Sequence, residues 1–269
     1  MESFSADWLA LREPVDHAAR VAAFVAHVAR TQAGQGGLHA VDLGGGTGSN
    51  VRYLLPRLPA VTRWTLLDYD RALLDRAARL TAPMAGEAGV RFDTGTVDLR
   101  DLAALPLDGV ALVTASALLD LVSEAWLRAF ARRCREAGAA VLCTLSYDGR
   151  IVCDPADGDD RLVRDLVNRH QQTDKGFGAA LGPEAARVAA DCFGDEGFDV
   201  QTADSDWMLD SAEAELQRQL IEGWAGAARA MSPPDTASID GWLSRRLTQR
   251  AAGVLGVRVG HVDLVATAR

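Results

Sequence analysis

Six mainly apolar residues, Leu38-His39-Ala40-Val41-Asp42-Leu43, run without a break into Gly44-Gly45-Gly46-Thr47-Gly48. The apolar run is too short for a helix of ordinary length and reads as a strand. Without Cβ atoms, the glycines let the chain reverse tightly and let a ligand come close to backbone N–H groups. Residues 48–57 then read as a helix. A strand, a glycine turn and a helix in this order open a β-α unit, and the rest of the chain has to be compatible with that opening.

The same alternation continues. Strands are expected at 62–67, 90–97, 109–115 and 139–146, with helices at 71–82 and 124–137. Strands joined by crossover helices favour a mostly parallel sheet covered on both faces, with right-handed connections. Ahead of the first strand, Trp8 to Arg30 reads as one helix, with Pro14 placed in a first turn and Gly34, Gly36 and Gly37 after its end. This makes residues 1–37 an N-terminal helical cap. Beyond Tyr147, residues 148–158 read as an Asp/Gly-rich loop, 160–172 as a helix and 173–182 as a glycine-containing cover; 148–182 is a candidate lid insertion. A helix at 183–193 and a strand at 198–204 follow. Helices then occupy much of 208–254, an insertion before the final strand at 257–267. No independent second core is visible, so 1–269 is expected to form a single domain.

Acidic residues at the strand ends narrow the chemistry. Asp68 closes the second strand in Leu66-Leu67-Asp68-Tyr69-Asp70. A carboxylate there accepts hydrogen bonds from both hydroxyls of a ribose and repels a nearby phosphate. The spacing from the glycines is equally compatible with a nicotinamide dinucleotide site. Asp70 is the local rival, with capping of the helix near Arg71 as its other role.

The run Asp42-Leu43-Gly44-Gly45-Gly46-Thr47-Gly48 resembles the first motif of class I S-adenosylmethionine-dependent methyltransferases. The resemblance covers roughly residues 38–146 and resumes at 256–266. It implies an α/β, Rossmann-like sheet of order 3-2-1-4-5-7-6 with the last strand antiparallel. It implies S-adenosyl-L-methionine as cofactor and S-adenosyl-L-homocysteine as product. On this resemblance Gly44, Gly45, Gly46 and Gly48 lie under the cofactor, with Asp42 and Asn50 beside them. Asp68 meets the ribose next to Tyr69, Asp98 meets the adenine amino group and Leu99 covers the adenine edge. Asp101 competes with Asp98. Ser116, at the end of the fourth strand, is a further cofactor contact, and Arg12 is a candidate partner for the methionine carboxylate. Arg20 is a second candidate for that role; the alternative, a solvated arginine on an amphipathic cap, is somewhat stronger for Arg20 than for Arg12.

An acceptor would sit beside the fourth and fifth strand ends. Leu118 and Leu119 are candidate apolar walls, and Asp120 is a candidate to hold an amine or accept a proton, with helix capping as its alternative. Tyr147 faces the same edge. His170, Gln171 and Lys175 are polar groups on the candidate lid; His170 has a reference pKa suited to a base. Trp207 and Trp224 are pocket candidates whose other reading is core packing, and His261 reads as a packed histidine. No zinc-type pattern or magnesium-type carboxylate cluster appears, so no metal is expected.

Charge decides among substrates. With 37 acidic against 28 basic residues the formal charge is -9, opposite to the basic surface that coats a phosphate backbone. The NPPY-like signature of many adenine and glutamine N-methyltransferases is absent. The expectation is methyl transfer to O, N, S or C of a small molecule, without nucleic acid or membrane, by a monomer or homodimer. An RNA methyltransferase and a noncatalytic S-adenosylmethionine-binding sensor are the alternatives. Cys134, Cys143, Cys153 and Cys192 form no CxxC pair, and neither a basic-apolar leader nor an 18-residue apolar run occurs. A cytoplasmic location is therefore expected.

Overall fold

The computed structural model describes residues 5–268; residues 1–4, the opening of the expected cap, and residue 269 lie outside the described residues. The amino-terminal region forms two helices, α1 (Ala6–Ala19) and α2 (Ala22–Thr31), rather than the single helix expected over 8–30. The break has a tertiary cause. Arg20 leaves the helical region with ψ 139°, and the Val21 N–H donates to Asp263 Oδ2 at 3.0 Å. Pro14 lies inside α1, well past its first turn.

The sheet is built in sequence from β1 (Leu38–Leu43), β2 (Val61–Asp68), β3 (Arg91–Thr96), β4 (Leu112–Ser116) and β5 (Ala140–Asp154). The short helix α3 (Ser49–Leu54) follows the glycine turn. Then α4 (Arg71–Glu87) connects β2 to β3, and α5 (Glu124–Ala137) connects β4 to β5. Helix α4 runs on through Pro83 to Glu87, beyond the expected boundary at 82. Its start follows local chemistry, because Asp70 Oδ1 accepts the N–H groups of Ala72 and Leu73. Ser123 caps α5 and Gly138 ends it in the left-handed region.

The expected loop over 148–158 is strand as far as Asp154. Antiparallel pairs Ile151↔Val259 through Asp154↔Gly256 hold it, and the Arg150 guanidinium pairs with Asp148, Asp204 and Asp206. Polar side chains that suggested a solvated loop are thus neutralised along a strand edge. The chain continues through α6 (Asp160–Gln171), α7 (Ala185–Asp195), β6 (Phe198–Asp204), the short β7 (Trp207–Leu209), α8 (Ala214–Met231), α9 (Thr236–Ala251) and β8 (Gly256–Ala268).

The strand order is β3-β2-β1-β4-β5-β8-β6, with β7 paired to β8. Pairings among β1 to β5 are parallel, whereas β8 is antiparallel to β5, β6 and β7. This is the Rossmann-like mixed sheet expected from the sequence, with the final strand inserted between β5 and β6 and β7 added. Phe130, Phe193 and Phe198 pack on one face with Val113 and Val141. Phe24, Val28, Leu54, Trp64 and Leu74 pack on the other. A third apolar cluster, with Leu166, Trp224, Ile239 and Trp242, lies under the extended β5–β8–β7 end. Full burial of a side chain such as Phe130 or Phe193 contributes roughly 1.5–3 kcal/mol, so the two faces hold the strand ends rigidly. Among the described residues no helix is long and apolar enough to cross a membrane, and no group of three or more His, Cys, Asp or Glu could hold a metal ion.

Candidate functional site

The glycine turn leaves the carboxyl end of β1 with Gly44, Gly46 and Gly48 at φ 61°, 52° and 84°, a region unfavourable to side chains. Gly45 is needed for closeness instead: a Cβ there would lie 2.6 Å from both Asp42 Oδ2 and Leu66 Cγ. At Gly48 it would lie 2.7 Å from Thr81 Oγ1. The outer side of the turn meets apolar side chains. A Cβ on Gly46 would approach Leu9 of α1 at 3.1 Å, and one on Gly44 would approach Leu118 and Leu99 at 3.6 and 3.7 Å.

Asp68 ties the end of β2 to this turn. Its Oδ2 accepts the Gly46 N–H and its Oδ1 the Asp70 N–H, both at 2.9 Å. Burial raises its pKa, against the lowering effect of these backbone bonds. A carboxylate has about four lone-pair directions, so Asp68 can still accept hydroxyl hydrogens. Tyr69, beside it, is half-buried. Asp98 lies past β3, exposed and ion-paired to Arg100 at 2.5 Å. The Arg100 side chain holds the Asp98 pKa down at about 2. Leu99 is buried between them and the core, its carbonyl accepting Trp126 Nε1 at 2.7 Å.

Below the turn lies a buried polar belt. Asp42 Oδ1 accepts both Asn50 Nδ2 and Thr114 Oγ1 at 2.6 Å, while Oδ2 has no partner. Burial pushes the Asp42 pKa up to about 6. Asn50 Oδ1 in turn accepts Arg20 Nη2 at 2.8 Å. Arg20 also donates to Thr144 Oγ1 and reaches Ser116 Oγ at 3.5 Å. Its guanidinium lies 5.3 Å from the Tyr53 ring centroid, and its Nε has no partner. Burial lowers its pKa, and Asp263, Asp16 and Asp42 oppose that through space. The arginine that read as solvated is therefore a core cation. Its neighbour Asp263 was signalled only as an acid interrupting an apolar strand. That carboxylate joins Val21 N to Leu145 N, the latter at 2.8 Å.

Beside the belt, Ala117 and Leu145 have φ 52° and 55°, costly conformations for residues with a Cβ that persist only where the surroundings impose them. Backbone hydrogen bonds do so here: Ala117 N–H to the Thr144 carbonyl and Leu145 N–H to Asp263. The chain leaving Ala117 brings Leu118, Leu119 and Asp120 to the inner edge, all buried. Burial raises the Asp120 pKa to about 6, against the lowering effect of the backbone N–H groups of residues 120 and 147 and of the Arg12 and Lys175 charges. Asp120 Oδ1 has no partner.

The other candidate residues lie in varied surroundings. Arg12 is half-buried, bonded to Asp16 through Nε at 2.9 Å and Nη2 at 3.1 Å. Its guanidinium lies 4.8 Å from the Trp207 ring centroid, whose Nε1 donates to Asp16 Oδ1 at 3.1 Å. Trp207 is buried in the third cluster, as is Trp224. His261 packs on Trp207, with ring centroids 4.9 Å apart, and burial lowers its pKa to about 3, so it is neutral at physiological pH. Tyr147 is buried and its hydroxyl donates to Asn168 Oδ1 at 2.7 Å. His170 and Gln171 are half-buried at the end of α6, and Lys175 is half-buried in the following segment.

The residues at the turn fit S-adenosylmethionine. The glycines have a backbone that a Cβ would block, Asp68 is fixed as an acceptor, and Leu99 and Leu118 supply apolar edges. The belt below carries a buried cation without a hydrogen-bonded carboxylate.

The sequence matches no protein-family model and no curated protein. Solved structures with a similar fold include the cyclopropane synthase MmaA2 from Mycobacterium tuberculosis, at TM-score 0.53 and 11% identity over 98% of this chain and 95% of that one. The YcgJ protein from Bacillus subtilis matches at TM-score 0.50 and 14% identity, over 92% of this chain and 99% of that one. Together with the strand order, these likenesses give the chain a class I S-adenosylmethionine-dependent methyltransferase-like fold.

Proposed function

We propose that the protein binds S-adenosylmethionine at the β1–β2 turn and transfers its methyl group to O, N, S or C of a small molecule. The observation that carries this reading is Asp68, a buried carboxylate at the end of β2 locked by the Gly46 and Asp70 N–H groups. It is thereby presented as an acceptor for two ribose hydroxyls. Bound S-adenosylmethionine supplies an electrophilic methyl on a sulfonium, leaving S-adenosylhomocysteine.

The chain's own residues then divide the work. Gly44, Gly45, Gly46 and Gly48 give the close approach, with Asp42 and Asn50 fixing the turn from below. Asp98 reads the adenine amino group, and Leu99 and Tyr69 bound the base and ribose. Arg20 and Ser116 lie where β1, β4 and β5 end, and the unpaired guanidinium of Arg20 offers a counter-charge to the methionine carboxylate. Arg12, the earlier candidate, is already neutralised by Asp16. On the acceptor side Leu118, Leu119 and Tyr147 exclude water, and Asp120 Oδ1 is placed to take a proton from the nucleophile. Holding the two reactants in line supplies much of the rate.

Calorimetric titration with S-adenosylhomocysteine tests the reading. Asp68→Ala should weaken binding by about 10- to 100-fold, the worth of hydrogen bonds to a charged group, without loss of the folded signal. Unchanged affinity in the variant would overturn the assignment, and no binding by the parent protein would overturn the function.

A further inference from the structure

Lys175 is the only lysine in the sequence; every other one of its 28 basic residues is arginine. The two cations are physically different. Arginine is a planar fork suited to fixed ion pairs, whereas lysine is a compact point charge on a mobile stem. Most arginines here are used in the first way, as in the pairs of Arg52 with Glu13, Arg150 with Asp206 and Arg245 with Asp157. Lys175 has no carboxylate within ion-pair distance among the described residues, and its Nζ donates to Thr173 Oγ1 at 3.1 Å.

Its segment is strapped down. Asp174 Oδ1 accepts the N–H groups of Gly176 at 2.6 Å and Gly178 at 3.1 Å, and Asp174 bridges to Ala179. The Phe177 ring sits edge-on to Trp126, centroids 5.8 Å apart. The Leu181 N–H donates to the Val122 carbonyl at 2.9 Å. These contacts pin the strap to residues 122–126, immediately after Asp120, and bring the Lys175 charge into the field of that carboxylate.

Asp120 supplies the second, independent observation. It is 7% exposed and its Oδ1 lacks any hydrogen-bond partner. A buried acceptor left unmatched is destabilising, and a ligand donor would remove that cost. The opposing cation from α1, Arg12, is bound in bidentate fashion by Asp16, so it offers little net charge. The edge therefore presents a carboxylate oxygen without a partner, acted on through space by an ammonium that has no carboxylate of its own among the described residues.

We infer that the acceptor is a small hydroxy or amino acid whose hydroxyl or amine meets Asp120 Oδ1 and whose carboxylate meets the Lys175 ammonium. This rests on the methyl-transfer reading for its role in the reaction, but the binding geometry is separately measurable. A molecule with the nucleophile alone leaves Lys175 unmatched, and one with the carboxylate alone leaves Asp120 unmatched. Both groups on one short skeleton satisfy the edge.

The single lysine makes a direct test possible. Reductive methylation of the full-length protein with isotopically enriched formaldehyde labels the Lys175 amine and the terminal α-amine, and leaves the lysine charge in place. The probes are lactate, mandelate, glycine and phenylalanine, each against its methyl ester, with propionate as the acid lacking a nucleophile. At least one hydroxy or amino acid should shift the Lys175 resonance saturably, with affinity about tenfold above its ester, while the α-amine resonance stays fixed. Asp120→Asn should remove the preference for lactate over propionate, and Lys175→Gln should remove the preference for acid over ester in calorimetry. No saturable shift with any acid, or equal affinity for acids and esters, overturns the inference. S-adenosylhomocysteine titrated into the same labelled protein reads the methyl-transfer proposal separately. Its binding without an acid response sinks the acceptor class alone, whereas an acid response without its binding sinks methyl transfer and leaves an acid-binding edge.

Discussion

Asp120→Asn should make the ligand-free protein more stable at neutral pH and leave its stability unchanged in acid. In the folded chain burial raises the Asp120 pKa from 3.8 to about 6. Between those values the folded state binds a proton that the unfolded state has released, so stability falls as pH rises through this window. Fully ionised above it, the wild-type carboxylate costs about 3 kcal/mol, from roughly two pKa units at about 1.4 kcal/mol each. Asparagine carries no charge at any pH, and its carbonyl oxygen can keep the backbone hydrogen bonds from residues 120 and 147. Its amide replaces the unmatched Oδ1 with an unmatched donor, as the protonated acid does, so that cost is common to both. The net gain at pH 7.5 is then about 3 kcal/mol. At pH 4 the protonated acid and the amide are nearly equivalent, so the difference between the two pH values approaches 3 kcal/mol. Arg12 on α1 and Lys175 on the strap are the cations that act on Asp120 through space. Urea unfolding of both proteins at the two pH values measures the double difference, in which other titrating groups cancel. A variant that is equally stabilised at both pH values, or destabilised at pH 7.5, would refute the claim that an ionised buried carboxylate is held there at a cost. The expected gain matches the pattern in which a functional group is retained against stability.

Gly48→Ala combines a left-handed backbone with a Cβ 2.7 Å from Thr81 Oγ1. It should destabilise the fold by about 2–4 kcal/mol in urea unfolding, and a change below the measurement error would remove the steric argument for that glycine. Asp98→Asn should change the preference for S-adenosylhomocysteine over its deaminated inosine counterpart by about tenfold in calorimetry. An unaltered ratio would leave Asp98 as a partner of Arg100 only.

The elements of the sheet were legible because their signals are local. A strand such as Leu38–Leu43 shows itself by a short apolar run, a helix by its repeat, and the turn by glycines that no other residue can replace. Asp68 could be singled out for the same reason: it stands at a strand end, one residue past the last apolar position. Local signals also misled where partners lay far along the chain. The acids and glycines of 148–158 suggested a loop, whereas β8 pairs with this segment as far as Asp154. Arg20 read as a surface cation because nothing near it in sequence reveals Thr144, Asn50 or Ser116. The break between α1 and α2 depends on Asp263, 242 residues from Val21. The sequence by itself determined most of the strands and helices of the sheet and that acids follow the second and third strands, since spacing along the backbone encodes both. Only the folded chain decided which cation is buried and which carboxylate oxygen is left unmatched. Burial and electrostatic matching are set by atoms brought together across the sheet, and no window of sequence contains both sides of such a contact.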